Sequence, residues 1–99
     1  MSSISSKLAK LPVSAGVYLF KDKAGKIIYI GKSGNLKNRV KSYFSAQGGP
    51  ASGRLNGAKI KMVSEICDIE ILKTESEIEA LIKESELIKK HKPKFNVLM

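Results

Sequence analysis

The chain has 99 residues, 42% of them hydrophobic and 27% charged, with a net charge of +9. That composition is that of one small folded domain and excludes a disordered segment, and no apolar run approaches the roughly 20 residues of a membrane-spanning helix. A single cysteine, Cys67, excludes an internal disulfide; its neighbours Ile66 and Ile69 predict a buried thiol in a reducing, intracellular setting.

The N-terminus, Met1-Ser2-Ser3-Ile4-Ser5-Ser6-Lys7, lacks the apolar core of a signal peptide. Residues 1–10 predict a short helix or a loose arm, and Leu11-Pro12 opens the ordered domain, residues 11–99. Val17 and Leu19 alternate with Tyr18 and Phe20, the period of a strand. Asp22-Lys23-Ala24-Gly25 is a turn signal, and Ile27 to Ile30 reads as the returning strand. A turn confined to residues 22–25 sets Lys21 against Lys26 and, counting back, Tyr18 against Tyr29. Both rings then stand on one face of the hairpin as a cross-strand pair, which a one-residue slip would separate.

Ser33-Gly34-Asn35 supplies cap residues for a helix running to about Phe44, with Leu36, Val40 and Phe44 toward the core. Lys32, Arg39 and Tyr43, seven and four residues apart, are expected to share a face bordering that core, with Lys37 and Lys41 on a separate solvated strip. Residues 45–57, with Gly48, Gly49, Pro50, Gly53 and Gly57, read as a flexible basic loop. Ala58 to Ile66 predicts a second helix with Ile60, Val63 and Ile66 in register, and Asp68 to Lys73 a third strand. Thr74 to His91 predicts the last helix, with Ile78, Leu81, Ile82 and Ile88 on its core side. Pro93 ends it, and Phe95, Val97 and Leu98 are expected to fold back over the sheet. The order β-β-α-α-β-α predicts an α/β domain: a small three-stranded mixed or antiparallel sheet flanked by helices.

The charge is uneven. Residues 1–64 carry 12 Lys/Arg and one acid, Asp22, whereas residues 65–99 carry six Lys/Arg and eight acids. Concentrated positive charge favours phosphate backbones through counterion release, and it also serves solubility alone.

Gly16-Val17-Tyr18 is followed, eleven residues after Tyr18, by Tyr29-Ile30-Gly31-Lys32, and then by Asn35-Leu36-Lys37-Asn38-Arg39-Val40. With Glu79-Ala80-Leu81 and the tail from Glu86 to Val97, these segments resemble the GIY-YIG nuclease superfamily, most closely the N-terminal endonuclease domain of bacterial UvrC-type excinucleases. The resemblance spans about residues 11–98. Ala15 stands where that family usually has proline, and residues 48–57 match no motif.

The resemblance implies a metal-dependent endonuclease that cuts one strand of double-stranded DNA. It implies one divalent cation, Mg²⁺ or Mn²⁺, on Glu79, with Tyr18, Tyr29, Lys32, Arg39 and Tyr43 completing the catalytic set and Asn96 supporting it. Lys32, Lys37, Arg39, Lys41 and Asn96 are the expected DNA contacts. It further implies 3′ incision in nucleotide excision repair beside a UvrB-type damage-loading partner, in the bacterial cytoplasm, with no small-molecule cofactor and no membrane. Two other functions fit the residues: a stand-alone nuclease acting on branched or damaged nucleic acid, and a catalytically inactive basic binding module.

The chemistry agrees with these residue types. Phosphodiester hydrolysis needs a positioned water and neutralisation of developing charge. Arg39 offers a two-donor grip on phosphate oxygens. Tyr29 is a candidate to orient or deprotonate water; a free phenol ionises only near pH ~10, and Lys32 and a metal are expected to favour its phenolate. Structural roles stand beside these: Tyr18 and Tyr29 as a packing pair, and Lys32, Lys37, Arg39 and Lys41 as a solvated helix face. Glu79 fits a capping box from Ser76 or an ion pair with Lys83, while Thr74 to Glu77 forms a second capping box that would leave Glu79 free. His91, between Lys90 and Lys92, reads as a surface or phosphate-contact residue, and one histidine with one distant cysteine gives no zinc site.

Overall fold

The computed structural model describes residues 2–44 and 57–98. A helix α1 (Ser2–Ala9) precedes the hairpin β1 (Gly16–Lys21) and β2 (Ile27–Ser33). Helices α2 (Leu36–Phe44) and α3 (Gly57–Glu65) follow, then β3 (Asp68–Lys73), α4 (Glu77–His91) and a short α5 (Lys94–Leu98). The glycine-rich loop, with Gly48, Gly49, Pro50 and Gly53, lies outside the described residues, as does the side chain of Ile60.

The three strands form one antiparallel sheet in the order β2-β1-β3. β1 is central, and its first five residues are buried, as a strand covered on both faces must be. On one face Tyr18, Phe20 and Ile69 meet Leu36, Val40 and Tyr43 of α2, Met62 of α3 and Phe95 of α5. Ile4 and Leu8 of α1 pack against the same cluster, so the N-terminal segment is a docked helix. Lys7 Nζ fastens it, donating to the Ile69 carbonyl at 3.2 Å and pairing with Asp68 at 2.6 Å. On the other face Val17, Leu19 and Ile30 meet Ala80, with Leu87 and Ile88 of α4 alongside.

The hairpin register differs from expectation. Tyr18 pairs with Gly31 and Phe20 with Tyr29, and the pairing shifts between Phe20 and Lys21, which faces Ile27. The turn reaches one residue further because Asp22 closes it on Lys26: the Asp22 N–H donates to the Lys26 carbonyl, and Asp22 Oδ1 accepts from the Ala24 and Lys26 N–H groups. The extra residue is a bulge that turns both Ile28 and Tyr29 toward the α2 side. Counted from the expected Tyr18–Tyr29 pairing, the slip is two residues, so the two rings keep a common face but become diagonal neighbours, 6.2 Å apart between centroids.

Helix α4 is rotated from its expected setting. Ile78, Leu81 and Ile82 are 72%, 47% and 56% exposed, while Ala80 is fully buried. The stripe that meets the sheet is Ala80, Glu84, Leu87 and Ile88, at the spacing of one helix face. A small residue and a carboxylate within that stripe hid it from a count of apolar positions. Two further expectations fail: Cys67 is exposed, in the short connection between α3 and β3, and Val97 is exposed while Phe95 enters the core; the side chain of Leu98 lies outside the described residues.

Candidate active site

The motif glycines are places where the chain needs room. A Cβ on Gly31 would overlap the Tyr18 ring and hydroxyl, so Gly31 is what lets Tyr18 lie across β2. A Cβ on Gly16 would collide with the Leu72 carbonyl oxygen and come within 2.7 Å of Leu36 Cδ1, at the point where β1, β3 and α2 converge.

Tyr18, lying across Gly31, shares a 3.0 Å hydrogen bond with the Tyr43 hydroxyl. The Tyr43 ring centroid lies 5.9 Å from that of Tyr18 and 6.4 Å from that of Tyr29. Three phenols thus gather at the rim of the sheet. α2 is aimed at them by its first turn: the Leu36 N–H donates to the Ser14 carbonyl at 3.0 Å, the Lys37 N–H to the Pro12 carbonyl at 2.9 Å, and Asn35 Oδ1 caps the Asn38 N–H at 3.1 Å. This confirms Asn35 as the cap residue and places Arg39 one turn before Tyr43.

Burial holds the Tyr18 and Tyr29 hydroxyls above the ordinary phenol range, and the neighbouring Tyr43 adds to the shift in both. Arg39 acts in the opposite direction on both, so its charge lies near the two hydroxyls. Tyr29 is raised further by the charge of Glu84. The protein by itself therefore favours the protonated Tyr29, and Arg39, not Lys32, is the charge that opposes this.

Glu84, which sequence reasoning did not single out, is the carboxylate whose charge reaches Tyr29. It is half-buried on the sheet-facing stripe of α4, between Ala80 and Ile88 at intervals of four, and no Lys or Arg pairs with it among the described residues. A carboxylate within an otherwise apolar stripe was the available signal. Glu79 has other work. Ser76 is the N-cap of α4: its Oγ accepts from the Glu79 N–H at 3.1 Å, and Glu79 Oε1 accepts from the Glu75 N–H at 2.7 Å. Glu79 is exposed and lines an open groove of about 600 Å³ with Ile71, Leu72, Thr74 and Ile82, on the β3 side of the sheet. Glu77, the other candidate capping carboxylate, lies against Gly34 instead.

Lys32 lies in β2 and not on α2, so the helical spacing to Arg39 and Tyr43 does not apply to it. It stands opposite Val17 and therefore on the α4 side, one residue beyond Gly31. Lys37 and Lys41 flank the buried stripe of α2 on the side away from Arg39, by the 100° step of the helix. Asn96 is committed to the sheet edge. Its Oδ1 accepts from the Ile30 N–H at 2.8 Å and its Nδ2 donates to the Ile30 carbonyl at 2.9 Å, capping β2 beside Tyr29. The sheet rim at Tyr29 is thus where Tyr18, Tyr43 and Arg39 from one layer meet Glu84 from the other.

Comparison with known proteins agrees with this geometry. The sequence profile of the UvrC-like GIY-YIG domain matches residues 14–97. The UvrABC system protein C of Chlorobaculum tepidum is 51% identical over 96 residues, covering 97% of this chain and 14% of that protein. That of Desulfitobacterium hafniense is 50% identical over 99 residues, covering 100% of this chain and 15% of that protein. The chain thus spans about one seventh of the length of these relatives. The crystal structure of the GIY-YIG N-terminal endonuclease domain of UvrC from Thermotoga maritima, bound to its catalytic divalent cation, magnesium, superposes with a TM-score of 0.78 at 36% identity, over 96% of this chain and 97% of that one. Matched through its motifs, its fold and nearly its whole length, the chain belongs to the family of UvrC-like GIY-YIG domains.

Proposed function

We propose that this domain is a divalent-metal-dependent endonuclease that hydrolyses one phosphodiester bond in one strand of double-stranded DNA. The observation that carries the reading is that Arg39 on α2 and Glu84 on the sheet-facing stripe of α4, of opposite charge and from opposite layers, both act electrostatically on Tyr29 at the edge of the sheet. The structural relative with bound magnesium supports it.

Glu84 is the metal ligand in this reading, in place of Glu79. A half-buried carboxylate without a basic partner among the described residues fits a hard cation, since Mg²⁺ keeps several waters and needs only one or two carboxylates. No three His, Cys, Asp or Glu side chains gather among the described residues, which agrees with a site of one carboxylate completed by water. The bound Mg²⁺ or Mn²⁺ supplies charge neutralisation at the phosphate and the leaving oxygen. Arg39 grips the phosphate with two donors, and Lys32 adds positive charge from the α4 side. Tyr29 holds the attacking water; as the water oxygen bonds to phosphorus the ester bond to the leaving oxygen breaks, the water gives up its proton to solvent, and the leaving oxygen takes one from solvent. Tyr18 and Tyr43, hydrogen-bonded to each other, pack against the Tyr29 ring and hold it in place, and Asn96 fixes β2 beneath it.

In a longer protein of UvrC type the reaction is the 3′ incision of nucleotide excision repair in the bacterial cytoplasm, directed by a UvrB-type partner. Among the described residues no helix is long and apolar enough to cross a membrane. The test is nicking of supercoiled plasmid with Mg²⁺ or Mn²⁺. Wild type nicks, Glu84→Gln and Arg39→Ala lose at least a hundredfold in rate, and Glu79→Gln retains activity in proportion to its folded fraction. Full activity in Glu84→Gln contradicts the assignment. Binding without cutting by the wild type under every metal condition identifies a binding module.

A further inference from the structure

Lys92 is the only non-glycine residue with a positive φ among the described residues, at φ 46° and ψ 57°. It terminates α4, with its N–H donating to the Ile88 carbonyl at 2.8 Å. Such C-terminal positions favour glycine, because a Cβ is crowded in the left-handed region. Pro93 follows directly and narrows the accessible conformations further. The backbone conformation here is one that glycine adopts more readily than lysine. The other basic residues nearby have structural explanations. Lys89, Lys90 and His91 occupy the last turn of α4, where cations complement the helix dipole. Lys94 is held by Glu65 at 3.0 Å and lies over the Phe95 ring. Lys92 is exposed, and no acid pairs with it among the described residues.

Its place gives the lysine a use. Eight residues beyond Glu84 is about 12 Å along the helix axis, the span of three to four nucleotide steps at ~3.4 Å each. Four residues further, Asn96 grips Ile30 beside Tyr29, so Lys92 lies in the chain segment between Glu84 and Asn96, two residues of the site. We infer that Lys92 is a DNA-phosphate contact three to four nucleotides from the bond that is cut, kept at a conformational penalty to the fold. The inference rests on the nuclease reading above and adds a positioning residue to it.

The experiment compares wild type, Lys92→Gly and Lys92→Arg in thermal unfolding and in binding to a fluorescent DNA duplex over a salt series. Lys92→Gly is expected to melt at the same or a higher temperature, to bind several-fold more weakly, and to lower the slope of log K against log salt by about one. Lys92→Arg is expected to keep the wild-type slope. Duplexes with neutral methylphosphonate linkages three and four nucleotides from the cut remove the difference between wild type and Lys92→Gly. A Lys92→Gly protein with wild-type affinity and slope overturns the inference while leaving the nuclease reading intact, and so does one that melts lower, because the lysine then serves the fold. A wild-type protein that neither binds nor nicks duplex DNA refutes the nuclease reading itself.

Discussion

Asn96→Ala isolates the latch that holds β2 under the site. The side chain makes two hydrogen bonds to one residue, at 2.8 Å from the Ile30 N–H and at 2.9 Å to the Ile30 carbonyl. Each is worth about 1 kcal/mol net, and a backbone group left unpaired away from water costs about 1–3 kcal/mol. The site is partly buried, so water refills only part of the gap. A loss of ~2–3 kcal/mol follows, which for a domain of this size lowers the melting temperature by roughly 10–20 °C. Asn96→Asp is predicted to be no better, because it keeps an acceptor for the Ile30 N–H but sets a carboxylate against the Ile30 carbonyl. Urea unfolding at constant m-value gives the energy, and amide exchange at Ile30 locates it. A loss below ~0.5 kcal/mol, or unchanged protection at Ile30, would refute the latch.

Gly31→Ala drives a methyl group into the Tyr18 ring and is expected to cost ~1–3 kcal/mol. Adding Tyr18→Leu to it should recover part of that energy in an unfolding cycle, and simple additivity would show that the two do not touch. The phenols of Tyr18 and Tyr29 should titrate above the ordinary value of about 10 when tyrosinate absorbance is followed without metal. Because these folded-state values are raised, the stability they carry is complete below the unfolded value and is lost as pH rises through the folded ones, so unfolding free energy falls above pH ~10. Glu84→Gln should lower the Tyr29 midpoint, since it removes a charge that raises it; an unmoved midpoint places the carboxylate elsewhere.

Much of the fold was legible because local chemistry and long-range packing agree in it. β3 over Asp68–Lys73 and the Asn35 cap of α2 follow from alternation and capping that nothing in the tertiary structure opposes. The hairpin register was not legible, because Asp22 both begins the turn and closes it on Lys26, and that decides where the bulge falls. The two motif tyrosines were nonetheless placed on one face, since a slip of two residues conserves facing. α4 misled for a different reason. Ile78, Leu81 and Ile82 form an apolar stripe that faces outward, whereas the stripe against the sheet begins with Ala80, whose small side chain allows close approach. That rotation carries Glu84 inward and leaves Glu79 at the helix start, where its capping role was already readable from Ser76. The choice of Glu79 came from the resemblance and not from the apolar count, and it is the rotation of α4 that sets Glu84 toward Tyr29.

The position of the bound cation decides between the two carboxylates directly. Crystals of the domain soaked in Mn²⁺ and measured for anomalous scattering are predicted to show one peak on the Glu84 carboxylate, beside Tyr29 and on the same rim as Arg39, and no peak on Glu79. A peak on Glu79, in the groove beside β3, would contradict the account of the site.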